Sequence, residues 1–297
     1  MFSAFSPGQI TGFFKLHYSK NFLFSGSTGA GICISNGVET SVKLKSSQKT
    51  KFKIQINNQL TNDAIVSKFV ARTMTSKLNQ HYEISIKHYS DIPIGCGYGS
   101  SGSAALSLAY ALNEALSLGL SQEKTAQIAH IAEIKCRTGL GTVLSLYNGG
   151  AHLRLNPGAP GIGKVLKFNS NNRIIATFTL GNISTQDILL NPAVPSFVNN
   201  LGQTLIQKFT NNPSVDLFLT LSRYFALSLN FFPYNLYQFM KLADRYDIVC
   251  SMNMFGYSIF SIIKSNEKAE FYNLFRKSNI KGKLIFSNID NIGARLL

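Results

Sequence analysis

The segment from Pro93 to Ser103 constrains this chain most, because it holds four glycines and three serines in eleven residues. Glycine permits backbone conformations in which several N–H groups converge, and a following helix adds the positive end of its dipole. This composition predicts a phosphate site and disfavours the alternative, an ordinary strand-to-helix turn with capping serines. The residues expected to form the site are Pro93, Gly95, Gly97, Tyr98, Gly99, Ser100, Ser101, Gly102 and Ser103.

Neither of the two common nucleotide motifs fits this segment. It matches Gly-x-Gly-x-x-Gly at residues 97–102, but a dinucleotide fingerprint also needs an acid at the end of a second strand. Glu123 lies at about the right distance and instead begins a predicted helix. The Gly-Lys-Ser/Thr ending of a P-loop is missing as well. The residues alone therefore indicate a phosphate site of undefined type.

Periodicity predicts an α+β chain in two parts, and a hydrophobic content of 45% is enough for a full core. The eight residues 156–163 hold two prolines and three glycines, so we place a domain boundary near residue 156, between 1–156 and 157–297. Helices are expected at 61–79, 103–118, 121–137, 194–211, 215–231, 234–247 and 266–277. Strands are expected within 1–45 and 142–155, and at 51–57, 82–89, 173–180, 259–264 and 283–287.

The charge balance is strongly basic, with 29 Lys and Arg against 14 Asp and Glu. A nucleic acid or anionic membrane, an anionic small substrate, and a surface adapted to its cellular conditions are three explanations. No block of five basic residues occurs, which makes a nucleic-acid partner the least favoured. The apolar run 217–232 is short for a bilayer span and contains Arg223, so no membrane partner is expected.

The four cysteines form no Cys-x-x-Cys pair, and so they indicate neither a zinc site nor a disulfide framework. Reduced thiols of this kind predict a cytoplasmic protein. The sequence leaves the oligomeric state open, with a homodimer as one option.

The glycine-rich segment resembles the second motif of the GHMP kinases, Pro-x3-Gly-x-Gly-Ser-Ser. Further stretches, in the same order along the chain, resemble the archaeal pantoate kinase branch of that family. These stretches are residues 4–14, 26–31, 138–141, 149–150 and 251–256.

The resemblance implies a fold with an N-terminal half like ribosomal protein S5 domain 2 and a ferredoxin-like C-terminal half. It also implies ATP, Mg²⁺ and phosphoryl transfer to the primary hydroxyl of a small anionic hydroxy-acid, pantoate in this branch. By the same resemblance, Ser101 and Glu133 would hold Mg²⁺. The positions that would contact the substrate are Ser27, His130 and Arg154.

Spacing supports part of this assignment. His130, Glu133 and Arg137 lie at i, i+3 and i+7, on one stripe of a predicted helix. A carboxylate suits Mg²⁺, and the fork of Arg154 suits a substrate carboxylate. The alternatives are a Glu133–Arg137 surface ion pair beside a solvated His130, and a solvent-facing Arg154.

Three positions depart from the branch pattern. Thr142 stands where a catalytic Asp is expected, Gln9 where a His is expected, and Thr28 where an Arg is expected. Of the catalytic positions Ser101, Glu133 and Thr142, the last cannot act as a base near neutral pH. The departures leave two alternatives open: a kinase for another anionic alcohol such as mevalonate 3-phosphate, and an inactive or nucleic-acid-binding basic protein.

Overall fold

Two β-sheets with helices packed against them make up the computed structural model, which describes residues 1–170, 172–182, 193–230, 233–254 and 256–297. The strands are β1 (Phe2–His17), β2 (Gly26–Ser46), β3 (Lys51–Ile56), β4 (Gln59–Leu60), β5 (Tyr82–Ser90), β6 (Ala151–Asn156), β7 (Lys164–Lys167), β8 (Ile174–Asn182), β9 (Ser251–Met252), β10 (Gly256–Ile263), β11 (Lys283–Asn288) and β12 (Arg295–Leu296). The helices are α1 (Ile65–Thr75), α2 (Ser100–Ala115), α3 (Gln122–Lys135), α4 (Thr142–Asn148), α5 (Ala193–Asn211), α6 (Val215–Leu229), α7 (Tyr234–Asp244) and α8 (Lys268–Lys277).

The first sheet has the order β12-β1-β2-β5-β3-β4, with β6 and β7 added beside one half of β2. The strand β2 has two partners on the same side: its second half pairs with β5, while Gly29–Ile32 pairs with β6. Because β2 pairs with β5 along one half and with β6 along the other, β6, which follows α4, lies beside the chain near Ser27.

Helix α2 is the centre of the first core. It packs on β1 and β2 and is covered by α1, α3 and α4. Its leucines at 106, 108 and 112 are fully buried, as expected for a helix that is apolar on nearly every side. Among the described residues, no helix has both the length and the apolar character that a bilayer crossing requires.

The second sheet is antiparallel, in the order β11-β8-β10-β9. Helices α7 and α8 join it through a cluster that contains Phe178, Phe239 and Phe271. Helices α5 and α6 pack on β1, where the rings of Phe13 and Phe209 meet edge to face at 5.6 Å between their centroids. One apolar cluster thus runs from the first sheet to the second.

Most elements lie within a few residues of their predicted bounds, but one prediction is wrong. Residues 142–148 form α4, whereas strands were expected on both sides of Gly149. Gly141 and Gly149 adopt φ values of 103° and 66°, so each can end a regular element abruptly, and the apolar run between them winds into a helix. The end of the helix expected at 215–231, and Phe255 in the similar segment 251–256, lie outside the described residues.

The domain division at residue 156 stays a prediction. Strand β7 pairs with β6, so residues 164–167 belong to the first sheet. The second sheet begins with Ile174, and β12, near the end of the chain, returns to β1. The strand pairing therefore favours a domain division close to residue 170, with β12 returning to the first sheet.

Candidate active site

The glycine-rich segment leads directly into α2. Gly97 has a φ of 87°, and a Cβ there would lie 2.6 Å from the carbonyl oxygen of Met254, so only glycine fits. Gly99, with a φ of 67°, is the N-cap of α2. The free N–H groups at the start of the helix therefore open beside the loop, as a phosphate site requires.

Two cavities lie on either side of this helix start. The larger has a volume of about 370 Å³ and the smaller about 140 Å³. Four residues line both: Gly95, Ser100, Ser101 and Thr138. A phosphate held at the helix start would therefore sit between two separate binding spaces.

Glu133 of α3 lies against the glycines of this region, with only 2% of its surface exposed. A Cβ on Gly139 would be 2.6 Å from its Oε1, and one on Gly102 would be 2.8 Å from its Oε2. Burial raises the pKa of this carboxyl to about 8, and the nearby Ser101 hydroxyl opposes that rise. The expected alternative, an ion pair with Arg137, does not occur among the ion pairs of the described residues.

Oε2 of Glu133 and Oγ of Ser101 are both buried without a hydrogen-bond partner of good geometry in the described structure. The two groups lie close enough for Ser101 to act on the pKa of Glu133, and a hard cation between them would give both oxygens a strong partner. The described residues contain no cluster of three or more metal-binding side chains. The pair therefore fits Mg²⁺ that arrives with phosphate oxygens as its other ligands, and not a metal held by protein alone.

Arg154 of β6 projects into the wall of the smaller cavity and is 2% exposed. Its Nε donates to the carbonyl oxygen of Ser27 at 3.1 Å, and its Nη1 donates to Oγ of Ser145 at 2.7 Å. Burial lowers its pKa to about 10, which still leaves it charged at neutral pH. No carboxylate pairs with it in the described part of the chain, so the cavity wall carries an uncompensated positive charge.

Comparison with known proteins decides the family. Residues 64–150 match the GHMP kinases N terminal domain. A pantoate kinase from Methanocaldococcus jannaschii is 35% identical over 261 residues, which cover 88% of this chain and 92% of that protein. This chain belongs to the GHMP kinase family. The resemblance inferred from the motifs is confirmed, and with it an ATP-dependent kinase of the α+β GHMP fold.

Two further relatives agree with this GHMP kinase assignment. A pantoate kinase from Thermococcus kodakarensis is 28% identical, over 93% of this chain and 92% of that protein. A solved structure described as a phosphotransferase related to the CoA biosynthesis pathway superposes with a TM-score of 0.90 at 25% identity. It covers 99% of this chain and 98% of its own.

The nine predicted residues of the glycine-rich loop in this GHMP kinase fall into two groups, those that line a cavity and those that do not. Gly95, Gly97, Gly99, Ser100 and Ser101 line one or both cavities, and their contact with ATP stays a prediction. The Tyr98 hydroxyl is buried against Oγ1 of Thr179, and Ser103 donates to the carbonyl oxygen of Pro7. Gly102 makes room for Glu133, and Pro93 precedes the loop and lines neither cavity. These last four residues shape the loop and do not form its surface.

His152 and Ser145 fix the Arg154 guanidinium of the kinase, and sequence analysis did not single them out. Nδ1 of His152 faces the carbonyl oxygen of Gly150 at 2.9 Å and must donate to it. Nε2 is then an acceptor, so the Ser145 hydroxyl donates to it at 2.8 Å and its oxygen is free to accept from Arg154. Burial, with the charge of Arg154, lowers the pKa of His152 to about 3 and keeps the ring neutral.

His130, which the resemblance gives as a substrate contact, is not among the residues that line the smaller cavity. Its Nε2 faces the carbonyl oxygens of Phe22 and Ser25, at 3.2 and 3.1 Å, so the ring supports the turn before β2. Ser27, two residues beyond that turn, does line the cavity. His130 therefore packs beneath the turn that precedes Ser27 and is not the solvated residue of the alternative, and its assignment as a substrate contact stays a prediction.

The three residues that depart from the branch pattern do not all lie at the cavity. Gln9 and Thr142 both line the smaller cavity, on either side of Gly99. Thr28 does not line it, and its hydroxyl bonds to Nε2 of His17 at 3.0 Å. The methyl group of Thr142 faces Gly99 and Gly102, so the position of the expected base adjoins the phosphate loop and carries no carboxylate.

Proposed function

We propose that this kinase transfers the terminal phosphate of ATP to the primary hydroxyl of pantoate, and so forms 4-phosphopantoate. The pantoate kinases among its relatives support this substrate. One structural observation carries it: Arg154 presents a buried guanidinium, charged at neutral pH, to a small cavity beside the phosphate loop. A guanidinium without a protein carboxylate is a preformed partner for the carboxylate of a small acid.

The larger cavity is the proposed site of the ATP nucleoside. Most of its wall is apolar, which suits an adenine ring, and Asp63 supplies a carboxylate for ribose hydroxyls. Arg137 lines this cavity too, and its charge is available to the phosphates of a bound nucleotide. In this arrangement the phosphates of ATP extend over the start of α2 toward the smaller cavity.

Positioning and charge neutralisation account for most of the catalysis in phosphoryl transfer. The helix start binds and orients the phosphates, while Ser101 and Glu133 are the proposed Mg²⁺ ligands from the protein. Mg²⁺, when bound, would neutralise charge on the phosphate oxygens. Because Thr142 is no base, the proton of the acceptor hydroxyl passes to a phosphate oxygen or to solvent as the bond to phosphorus forms.

The substrate is tested by ADP release with pantoate, pantothenate, mevalonate and mevalonate 3-phosphate in parallel. We expect turnover with pantoate alone, and an Arg154→Lys variant should lose about 10–100-fold in kcat/KM for it while the KM for ATP stays unchanged. Turnover with a different acceptor would overturn the substrate. No turnover with any of the four would overturn the enzyme as proposed.

The metal assignment is tested with Glu133→Gln, which replaces one carboxylate oxygen by an amide nitrogen and removes the negative charge, and with Ser101→Ala, which removes the hydroxyl. Both should lower kcat and shift the Mg²⁺ concentration required for half-maximal rate upward. An Asp63→Asn variant is a control, since it changes the proposed nucleoside site and should raise the KM for ATP without changing the Mg²⁺ requirement. If the first two variants keep full activity at saturating Mg²⁺, the assignment is wrong.

No observation favours mevalonate 3-phosphate as the acceptor. It carries a phosphate in addition to its carboxylate, whereas Arg154 is the single cationic residue among the described residues that line the smaller cavity. A nucleic-acid partner remains the least favoured explanation of the basic charge. Weak binding to duplex, measured at several salt concentrations, would agree with that, and tight binding with a steep salt slope would contradict it.

A further inference from the structure

We propose that the carboxamide of Gln9 binds the hydroxyl on the carbon next to the substrate carboxylate and so selects α-hydroxy acids. This inference rests on the proposed function, because it takes the carboxylate to be held by Arg154. Gln9 would then determine which acids are accepted, while the phosphate loop and Arg154 bind features that many acids share.

The Gln9 side chain is buried and has no partner. It lies on β1 with 1% of its surface exposed, yet it lines the smaller cavity. Neither Oε1 nor Nε2 has a hydrogen-bond partner among the described residues. Leaving a buried polar group unpaired is unfavourable, so an amide with both ends unpaired inside a cavity points to a ligand.

Gln9 lies between the phosphate loop and the residues around Arg154. Its backbone N–H donates to the carbonyl oxygen of Tyr98 at 2.9 Å, and its Cβ adjoins Gly99. The far end of the side chain lies over Gly31, where an added Cβ would come within 2.8 Å of Gln9 Nε2 and 3.5 Å of His152 Nε2. The side chain therefore runs from the loop toward the residues that hold Arg154.

The chemistry of a carboxamide identifies the group it binds. Oε1 is an acceptor and needs a donor, which an ionised carboxylate or a phosphate oxygen does not supply. A hydroxyl can donate to Oε1 and accept from Nε2. Pantoate has two hydroxyls, and the one that is phosphorylated must face the phosphate loop. The α-hydroxyl, next to the carboxylate at Arg154, is the one left for Gln9.

The test compares two acceptors on two enzymes. The acceptors are pantoate and 4-hydroxy-3,3-dimethylbutanoate, which lacks only the α-hydroxyl, and the enzymes are the natural protein and Gln9→Met, of similar size. The natural protein should prefer pantoate by about 10²-fold or more in kcat/KM. Gln9→Met should lower kcat/KM for pantoate and so reduce that preference about ten-fold or more. It should change kcat/KM for the deoxy acid less than three-fold, on the order of 0.5 kcal/mol.

An equal loss with both acceptors, or no loss with either, would overturn the role of Gln9. If the natural protein phosphorylates neither acceptor, the proposed function itself fails, which is a separate result. The control is Gln203→Met, at a glutamine of α5 that bonds to Nζ of Lys15 and does not line the cavity. It should leave the preference unchanged.

Stability gives a second readout that a structural role would not produce. Gln9→Met removes an unpaired buried amide and keeps the volume of the side chain, so the unfolding temperature should stay constant or rise. A fall in unfolding temperature together with an equal loss of activity on both acceptors would assign Gln9 to packing instead.

Discussion

The hydroxyl oxygen of Ser145 lies 2.7 Å from Nη1 of Arg154 and 2.8 Å from Nε2 of His152, and so it joins a buried cation to a buried neutral ring. The hydroxyl can make only one donation, and His152 uses it. Its oxygen is thereby left to accept from the guanidinium. The orientation of the proposed substrate-binding charge thus depends on a residue that does not line the cavity.

Removing the Ser145 hydroxyl should loosen Arg154 and leave His152 Nε2 unpaired. We expect Ser145→Ala to lower the free energy of unfolding by about 1–3 kcal/mol. The KM for the acceptor should rise about ten-fold, equivalent to about 1.4 kcal/mol, with little change in kcat. Urea unfolding and steady-state kinetics measure the two effects.

Ser107→Ala is the matched control for this prediction. Ser107 is also a fully buried serine in a helix, and it bonds to Thr40 at 2.6 Å, away from the smaller cavity. It should lose similar stability without any change in the KM for the acceptor. Equal KM values in the two variants would contradict the role given to Ser145.

Glycine at position 139 should be required because the Glu133 carboxylate occupies the space of a side chain. A methyl group in Gly139→Ala would lie 2.6 Å from Oε1, so the carboxylate must move. A displacement of this size can cost about 10²-fold in rate, and we expect kcat to fall by about that factor. Gly181→Ala is the control, since nothing lies within 4 Å of a Cβ there, and it should keep full activity.

Thr142 should contribute little through its hydroxyl. Thr142→Val keeps the shape of the side chain and the methyl contact with Gly99, so kcat should change less than about five-fold, on the order of 1 kcal/mol. The dependence of kcat on pH should keep its shape, because no base is lost. A reduction near the 10²–10⁴-fold typical of a lost general base, measured in the same assay, would show that the hydroxyl takes part in catalysis.

Acid should destabilise the ligand-free enzyme through its buried histidines. Nδ1 of His88 faces Oγ1 of Thr40 at 2.7 Å, and Nε2 faces Oγ of Ser67 at 3.0 Å. Burial lowers its pKa from 6.5 to about 4. The unfolded chain therefore takes up a proton near pH 6.5, while the folded chain does not until pH 4. The contribution of the neutral His88 ring to the free energy of unfolding is complete above pH 6.5 and is lost as the pH falls toward 4.

The loss from His88 should be about 3 kcal/mol over that range, and burial of His152 should add to it. Urea unfolding at pH 7.5, 6.0, 5.0 and 4.5 measures it. His88→Gln should flatten the pH dependence, whereas His81→Gln, at an exposed position, should not. A stability that is constant from pH 7.5 to 4.5 would contradict the prediction.

Local patterns predicted the elements because their causes lie within a few residues. Alternation placed β3 and β5, and Ser121 caps α3 as expected, with its hydroxyl accepting from the N–H of Lys124. The error at α4 has a similar cause. Seven residues between two left-handed glycines are too few for periodicity to distinguish a strand from a helix.

The burial of charged residues could not be predicted from those patterns. Residues 151–156 alternate, and the sequence allowed a solvent-facing Arg154. That face is covered because β6 pairs with Gly29–Ile32 of β2, more than a hundred residues earlier, and because α4 supplies Ser145. His130 is buried for a similar reason, because the turn before β2 lies over its ring, although the sequence also allowed a solvated position.

The sequence by itself determined the glycine-rich loop, the family and most helices and strands, because glycine spacing and periodicity act over short stretches of chain. Only the tertiary structure decided which polar groups lack partners. Gln9, Ser101 and Glu133, which lack partners, and the charged Arg154 come from four elements, and the pairing of β1, β2 and β6 with the packing of α2 on α3 brings them to one region. Whether a buried group is satisfied depends on those distant neighbours, and three of the unsatisfied groups, on Gln9, Ser101 and Glu133, belong to the candidate site.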